Sequence, residues 1–455
     1  DAKTSEGTKL TKLGSEGRST STTILSFNIL RQLAQLGYDV AKQKLLSFTD
    51  NRQDAALQAG HFNDFIQTLH LRTAINSAVH NSEKGFLEFE EIGNAVFKEL
   101  NINQESYAAS PATFPGAIRE NEDALKDYLI YKTLHDLKRS WRVILPNLEQ
   151  CGLLDIGYKY LKESCDDDSL WSTDLLLTQL KGEDRKSFII ETLDFFRKSF
   201  AIRSAEYLAD NKIETKSKRL FQKLKSPWKF EEEEKIPYPN YLRYDTIPKY
   251  AKIYSASIGY SSGYGRYLRN HYKEHLGEFL NKDTYYEAIQ SLLDLLDQAG
   301  WLYSETVKNL NGDETKIYQL NLDMVLWQKQ DSDTIKSDPI KTRSYKPRLK
   351  PANTFFKNIY KIDFKDMKEL KAGDHTGQIG NDKRQEREKE FKSGELSALY
   401  CSPTMELGID ISSLGVVHMR NVPPNPANYA QRSGRAGRSG QAALIFTYCS
   451  NYSPH

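Results

Sequence analysis

The sequence predicts an α/β protein in which a lobe of alternating strands and helices is split by a large, mostly helical insertion. Short apolar runs typical of buried strands occur near both ends of the chain, at Lys44 to Asp50 and at Ala443 to Cys449. Between them, residues from about 82 to 245 are dominated by amphipathic helical patterns, such as Phe188 to Leu208. At 455 residues the chain is longer than one core usually supports, so we expect two or three domains.

Composition indicates a soluble globular protein, with 39% hydrophobic and 27% charged residues. Lys and Arg number 63 against 61 Asp and Glu, so any nucleic-acid surface must be local. No apolar run reaches the roughly 18–20 residues of a membrane span and no signal peptide opens the chain, so we expect a cytoplasmic protein without membrane contact. The cysteines form no C-x-x-C pair, so neither a metal site nor a disulfide framework is predicted.

The first part of the split lobe is expected in residues 1–65. Residues 1–22 are polar and rich in Gly, Ser and Thr, which suits a linker or surface loop. A helix follows and should end at Gly37, since apolar residues recur at helical spacing at Leu25, Ile29, Leu30, Leu33 and Leu36. A strand within Lys44 to Asp50 and a helix from Asn51, which leads out of the lobe, complete this part.

The insertion is expected to consist of helices in residues 66–245, a winged-helix-like domain in 246–330 and an exposed, Pro-rich connector in 331–370. The winged helix is predicted from an amphipathic helix, Tyr285 to Leu296, a stop at Gly300, and two strand-like runs around Asn311-Gly312. Acidic residues occupy the hairpin tip while lysines flank it, so contact with duplex DNA and a protein-facing role both remain open.

The lobe is expected to resume over residues 371–455. Strands are predicted within Gly394 to Ser402, Leu414 to Met419 and Ala443 to Cys449, with a helix from Pro426 to Arg438 before the last strand.

The segment QRSGRAGR, Gln431 to Arg438, is the strongest functional signal. On the predicted helix, Gln431, Arg435 and Arg438 are spaced by four and three residues and would project in neighbouring directions. The planar guanidinium of arginine stays charged and binds phosphate oxygens in pairs, so the pattern favours a surface for an anionic group. A solvated basic helix face is the alternative that the pattern alone leaves open.

QRSGRAGR resembles motif VI of superfamily 2 helicases, whose arginines act as fingers on ATP bound by the other lobe. SPTMELGID, Ser402 to Asp410, is similar to motif V of the same enzymes. The resemblance implies a RecA-like parallel-sheet lobe, the second of the two lobes of a helicase motor. It implies catalytic roles for Gln431, Arg435 and Arg438, nucleotide contacts by Gly408, Asp410 and Arg432, and nucleic-acid backbone contacts by Ser402 and Thr404. The family more often has Thr where Ser402 stands, and Gly408 taken alone could serve only a tight turn.

SFTDNRQDA, Ser47 to Ala55, resembles motif IV, in which a strand delivers polar residues to the phosphate backbone of the tracked strand. Thr49, Asn51 and Arg52 are therefore expected to contact nucleic acid, although Asn51 could instead cap the following helix. HTGQIG, His375 to Gly380, resembles the His-x-Gly segment of the family. RQEREKEFKSGE, Arg384 to Glu395, resembles the Arg-containing helix that precedes motif V. A direct catalytic role for His375 is not expected.

Within the superfamily, three segments resemble the large bacterial helicases of the Lhr and MrfA groups. They are LLSFTDNRQDAALQAGHFNDF, WRVILPNLEQCGLLDI and VPPNPANYAQRSGRAGR. This group includes helicases of phage-defence systems such as DISARM and Druantia, and the long insertion between motifs IV and V favours these defence-type relatives.

The phosphate loop G-x-x-x-x-G-K-[ST] does not occur in the chain, and its one Asp-Glu pair lies in the predicted hairpin. We therefore expect a piece of a longer protein, with ATP and Mg²⁺ bound mainly by an N-terminal RecA-like lobe. The implied partners are that N-terminal lobe, a nucleic acid and other subunits of a defence system. The nucleic acid is expected to be DNA, with RNA not excluded.

Two functions are consistent with these features. The first is the motor lobe of an ATP-dependent helicase, inactive as this piece alone. The second is a non-catalytic scaffold that only binds nucleic acid. An intact QRSGRAGR favours the first, because binding alone does not need paired finger arginines.

Overall fold

The computed structural model describes residues 15–137, 145–230, 234–248, 253–362, 369–402, 414–438, 440 and 442–448. The expected motif V residues Thr404, Gly408 and Asp410 lie outside these ranges. The chain divides into two compact units. We call Leu71–Lys361 the inserted unit, and Gly7–His70 together with Ile362–His455 the sheet unit.

Helices and strands alternate along most of the described chain. The first three elements are α1 Ser15–Gln35, β1 Leu45–Phe48 and α2 Arg52–His80. Next come β2 Phe86–Glu88, α3 Phe89–Leu100, α4 Gln104–Tyr107, α5 Pro115–Leu137, β3 Leu154–Tyr158, α6 Leu161–Asp166, α7 Leu175–Gln179, α8 Gly182–Lys198, β4 Ile202–Arg203, α9 Asp210–Lys223, β5 Tyr241–Arg243 and β6 Ser255–Ser257. The inserted unit continues with α10 Gly263–Leu276, α11 Lys282–Gln298, β7 Leu302–Lys308, β8 Glu314–Asn321, β9 Val325–Lys329, β10 Thr334–Lys336, α12 Pro339–Thr342, β11 Leu349–Pro351 and α13 Thr354–Tyr360. The last elements are β12 Ala372–His375, α14 Asn381–Ser393, β13 Ala398–Cys401, β14 Val416–Met419, α15 Pro426–Ser433 and β15 Leu444–Thr447.

The sheet unit is built on a five-stranded sheet of order β12-β13-β1-β14-β15. All of its pairings are parallel. The central strand β1 comes from the chain before the insertion, and its neighbours β13 and β14 come from the chain after it. The predicted α/β class is confirmed, as are the strands predicted around β1, β13, β14 and β15.

The two faces of β1 carry different chemistry. On one face, Leu46 and Phe48 belong to a buried cluster that also contains Leu399, Val417 and other apolar side chains. On the other, Ser47 Oγ lies 2.9 Å from Nδ1 of His418 on the neighbouring strand β14. Burial lowers the pKa of His418 to about 3, so this imidazole is neutral at physiological pH.

The amino-terminal linker prediction is wrong from Ser15 onward, because α1 begins there. The buried face of this part of α1 consists of hydroxyl side chains, and an apolar pattern therefore does not reveal it. Gln58 Nε2 of α2 donates to Thr23 Oγ1 at 2.9 Å and to the Ser19 carbonyl at 3.1 Å. The predicted helix end is confirmed, with Gly37 at φ +73° after α1.

The inserted unit contains small sheets as well as the predicted helices. Strand β9 pairs with β2 and β3, and β8 pairs with β4, β5 and β7. The strands before residue 245, β2 to β5, are short and were not predicted. Their partners, β8 and β9, lie after residue 245. Among the described residues, no helix is both long and apolar enough to cross a bilayer.

The helix and hairpin predicted near residue 300 are confirmed. The run Tyr285 to Leu296 lies within α11. Strand β7 pairs antiparallel with β8, from Leu302 opposite Leu320 to Lys308 opposite Glu314. Gly312 occupies the turn at φ +90°, which glycine adopts without strain.

Of the exposed connector predicted over residues 331–370, much of residues 331–351 is exposed, but part of residues 352–360 is buried. Strands β10 and β11 pair within this segment, and α13 buries Phe356, Ile359 and Tyr360. Burial of these apolar side chains holds α13 against the rest of the inserted unit, although the segment is rich in prolines and charged residues.

A buried arginine joins the two ends of the inserted unit. Arg72, near its beginning, donates to Tyr360 Oη at 2.8 Å and to Asp136 Oδ1 at 2.7 Å. Tyr360, near its end, donates to the Pro146 carbonyl at 2.7 Å. The chain therefore enters and leaves this unit at one place.

We expect Arg72→Met to destabilise the inserted unit by about 3–5 kcal/mol, because Asp136, which is largely buried, would lose its cationic partner. Hydrogen exchange measured by mass spectrometry should accelerate in α5 and α13. Lys84→Met is the control, since its ion pair with Glu91 is largely exposed and should contribute little to stability. Unchanged exchange in the Arg72 variant would contradict the proposed stabilisation.

Candidate functional site

The carboxyl ends of the five parallel strands form one row. In register across the sheet, the last residues are His375, Cys401, Phe48, Met419 and Thr447. In open α/β sheets, ligands bind beyond this edge because the following loops converge there. Among the expected motif IV and motif V residues that the structure describes, Thr49, Asn51 and Arg52 follow β1, and Ser402 follows β13.

Backbone hydrogen bonds join the first residue after each strand to the end of its neighbour. The N–H of Ser402 donates to the His375 carbonyl at 3.3 Å, and that of Thr49 donates to the Cys401 carbonyl at 2.9 Å. Likewise, the N–H of Arg420 donates to the Phe48 carbonyl at 2.9 Å. The loops that carry the motifs therefore leave the sheet from fixed positions.

Two of the expected backbone-contacting hydroxyls are buried. Thr49 is inaccessible to solvent, and its Oγ1 lies 3.0 Å from the Asn51 carbonyl and 3.1 Å from the Cys401 carbonyl. Ser402 is equally inaccessible. The hydroxyl of Thr49 is thus engaged by the fold and does not face solvent.

Asn51 caps α2, which is the alternative left open by the sequence. Its Oδ1 accepts a hydrogen bond from the backbone N–H of Asp54 at 2.9 Å, three residues into the helix. Its Nδ2 also donates to Asp54 Oδ2 at 3.0 Å. The side chain therefore stabilises the helix start, a role worth about 1 kcal/mol.

Arg52, the next residue, is exposed at the start of α2. Its Nη2 lies beside the loop after β12, 3.8 Å from where a Cβ on Gly377 would stand. Within the described part of the chain, no carboxylate forms an ion pair with it. Arg52 is thus the motif IV side chain best placed to meet an external anion.

The predicted Arg-containing helix, α14, holds the end of β12. Glu388 Oε1 lies 2.8 Å from Nε2 of the buried His375, and Arg387 pairs with Asp374 at 2.5 Å. These contacts fix the strand from which the His-Thr-Gly loop departs. The side chain of His375 is therefore held in place by α14.

The helix that carries motif VI is shorter than predicted. α15 ends at Ser433, so Arg435 and Arg438 lie in turns beyond it and not on a common helix face. The helix stops because Gly434 caps it and Gly437 takes φ +73°, which helical residues do not adopt. The N–H of Gly437 instead donates to the Leu414 carbonyl at 3.0 Å.

The motif VI arginines have different surroundings. Arg432 is buried with its guanidinium carbon 5.4 Å from the centre of the Phe48 ring. Arg435 is half-buried. Burial raises the pKa of the Cys401 thiol, at the carboxyl end of β13, and the positive charge of Arg435 opposes this rise.

Gln431 and Arg438 are exposed. Arg438 Nε donates to the Gly434 carbonyl at 2.9 Å, which holds the guanidinium against its own turn. Motif VI thus presents two accessible groups and one half-buried arginine, while Arg432 packs inward against the sheet.

The sequence did not single out an ion pair at this edge. Arg420 follows β14 and lies 3.1 Å from Asp54 of α2, and its Nη2 donates to Ser19 Oγ at 3.1 Å. Arg420 is almost fully buried, so it joins α1 and α2 to the sheet. Its place directly after an apolar strand is the signal that could have found it.

The described edge suits phosphate better than a divalent metal. Asp54, Asp374 and Glu388 each pair with a cation or with histidine. Among the described residues, no three His, Cys, Asp or Glu side chains cluster in a way that could hold a metal ion. Guanidinium groups, in contrast, can bind phosphate oxygens through paired hydrogen bonds.

Comparisons with known proteins point to helicases. Residues 350–440 match the family described as the helicase conserved C-terminal domain. Druantia protein DruE from Escherichia coli (strain UMEA 4076-1) is 51% identical over 61 residues, which are 13% of this chain and 3% of that protein. The match thus spans a small part of this relative.

Solved helicase structures overlap over similarly short stretches. The helicase Lhr of Mycobacterium smegmatis, bound to ssDNA and AMP-PNP, is 35% identical over 17% of this chain and 10% of its own, with a TM-score of 0.15. Domain 2 of the DEAD-box helicase Mss116p, bound to an RNA duplex, is 32% identical over 20% of this chain and 34% of its own, with a TM-score of 0.17. The assignment rests on the family match and the DruE segment. Together with the five-stranded parallel sheet, they support a C-terminal lobe of a superfamily 2 helicase in the sheet unit.

Proposed function

We propose that this chain is part of an ATP-dependent nucleic-acid helicase or translocase in which the sheet unit completes an ATP site on another lobe. The observation that carries the proposal is the position of motif VI beside the carboxyl edge of the parallel sheet, with Gln431 and Arg438 accessible and Arg435 half-buried. Charge that spreads over a transferring phosphoryl group is stabilised by such arginines. ATP and Mg²⁺ would bind mainly to the other lobe.

For the nucleic-acid strand, the proposed contact is Arg52. It is exposed beside the loop after β12, whereas Thr49 and Ser402 are buried. Contacts to phosphate track a strand without reading its bases, so DNA and RNA share this chemistry. The likeness to the Druantia protein supports a role in anti-phage defence, with other defence subunits as partners.

We also propose that residues 246–330 form a winged-helix domain within the insertion. The succession of α10, α11 and the β7–β8 hairpin supports it. The lobe itself would comprise residues 1–65 and 371–455.

The first prediction concerns the 455-residue chain alone. It should neither hydrolyse ATP nor unwind a duplex, because it has no phosphate loop. A coupled ATPase assay with Mg²⁺ and single-stranded DNA would test this. Turnover that copurifies with the chain and disappears in Arg435→Ala would overturn it.

The second prediction concerns the full-length protein. Arg435→Ala or Arg438→Ala should lower ATP turnover by about 10³-fold, the scale of arginine fingers, without unfolding the lobe. The Arg→Lys variants should stay well below wild type, since an ammonium group cannot bind phosphate through a planar fork. Lys389→Ala, an exposed change on α14, is the control. Near-normal turnover in both alanine variants would favour the non-catalytic scaffold.

The third prediction separates contact from structure in motif IV. Arg52→Gln should weaken single-strand binding and reduce the salt slope by about one phosphate contact, with unchanged stability. Thr49→Val should leave single-strand binding unchanged. It should cost about 0.5–1.5 kcal/mol of stability, because a buried hydrogen bond is lost. Binding isotherms at several salt concentrations and denaturant unfolding provide the two measurements. A Thr49→Val protein of normal stability that fails to bind would restore Thr49 as a strand contact.

A further inference from the structure

A second basic surface lies in the inserted unit, on the solvent side of α10. Arg266, Arg269 and Lys273 are three and four residues apart and so form one stripe along the helix. The opposite side of α10 is buried and includes Tyr264, Tyr267, Leu268 and Tyr272. Packing on this side fixes the direction in which the basic stripe faces.

Two aromatic rings extend the stripe. The guanidinium carbon of Arg269 lies 3.9 Å from the centre of the Tyr260 ring, and Lys273 Nζ lies 5.1 Å from that of Phe279. The two rings belong to one surface, because Tyr260 Oη donates to the carbonyl of Leu280, next to Phe279, at 3.4 Å. We call Tyr260, Arg266, Arg269, Lys273 and Phe279 the α10 patch.

The exposed ring is held in place by its neighbours. Gly277 ends α10 at φ +70°, and the chain then buries Leu280, which leaves Phe279 facing solvent. Phe279 is 80% exposed, the highest value among the large hydrophobic side chains of the described residues. A single exposed ring needs no explanation by itself, but one flanked by cations has the composition of a base-stacking platform.

The positive charge of the α10 patch is not compensated locally. Arg266 and Arg269 donate to the backbone carbonyls of Ser261 and Gly265, and within the described ranges none of the three patch cations pairs with a carboxylate. Glu274, the acidic residue of α10, pairs with Lys346. Lys346 belongs to residues 339–350, a segment with five Lys or Arg and no Asp or Glu.

The hairpin and α11, where a winged helix would usually meet duplex DNA, have the opposite character. α11 carries four acidic residues and one lysine, and Asp313 and Glu314 occupy the hairpin tip. Lys316, one of the lysines that flank the tip, pairs with Asp294 at 2.8 Å. A phosphate backbone would therefore be repelled from this side.

We propose that the α10 patch binds single-stranded nucleic acid, with the three cations on phosphates and a base stacked on Phe279. The chemistry favours a single strand because a duplex does not expose base faces for stacking. This surface goes beyond the proposed motor function, since it lies in the inserted unit and requires neither ATP nor the motif VI arginines.

The test uses the whole 455-residue chain without nucleotide. Fluorescence anisotropy would follow binding to labelled single strands of DNA and RNA of about 20 nucleotides, longer than one module's usual site, and to the matching duplex. The triple variant Arg266→Gln, Arg269→Gln, Lys273→Gln should bind single strands at least about tenfold more weakly, with a salt slope smaller by up to about two. Phe279→Ala should weaken binding by about fivefold or more and leave the salt slope unchanged.

The control removes the same charge elsewhere in the inserted unit, through Lys84→Gln, Lys308→Gln and Lys316→Gln. This variant should bind as wild type does. The proposal is overturned if the patch variants, folded by circular dichroism, bind as wild type, if the control loses the same affinity, or if duplex is preferred to single strands. Wild-type binding by the patch variants would leave the patch to an acidic protein partner.

Discussion

The central position of β1 is the constraint on which the sheet unit depends. This strand is paired on one side with β13 and on the other with β14, both of which follow the insertion. Leu46 and Phe48 then complete an apolar cluster that the later strands cannot close alone. The fold thus tolerates the inserted unit because that unit returns the chain to its starting point, where Arg72 binds Tyr360.

The same constraint explains which polar groups remain accessible at the edge of the sheet. The residues that directly follow the strands, such as Thr49 and Ser402, are drawn into hydrogen bonds that join neighbouring strand ends. Three residues after Thr49, Arg52 is exposed at the start of α2. Motif VI repeats this division, since Arg432 is buried against Phe48 while Arg438 is exposed. Proximity to the strand separates structural residues from those that can meet a ligand.

Much of the lobe is readable from the sequence, and the limits have physical causes. β1, β13 and β14 are apolar runs and were predicted, whereas Ala372–His375 (β12) has no such run and was not. The start of α1 was missed because its buried face is made of threonines, which a hydrophobic period does not register. Residue type identified Arg435 and Arg438 as candidates, but the end of α15 and the burial of Thr49 depend on contacts from distant parts of the chain.

The order of the strands also has a kinetic side. Thr49, the first residue after β1, and Cys401, the last residue of the neighbouring strand β13, are separated by 352 residues. At about 5–20 residues per second, a ribosome needs on the order of tens of seconds to make the partners of β1. During that time the inserted unit, compact in itself, is completed before the sheet is. A nascent β1 meanwhile exposes both of its edges, so this lobe has a strong requirement for protection against aggregation during its synthesis.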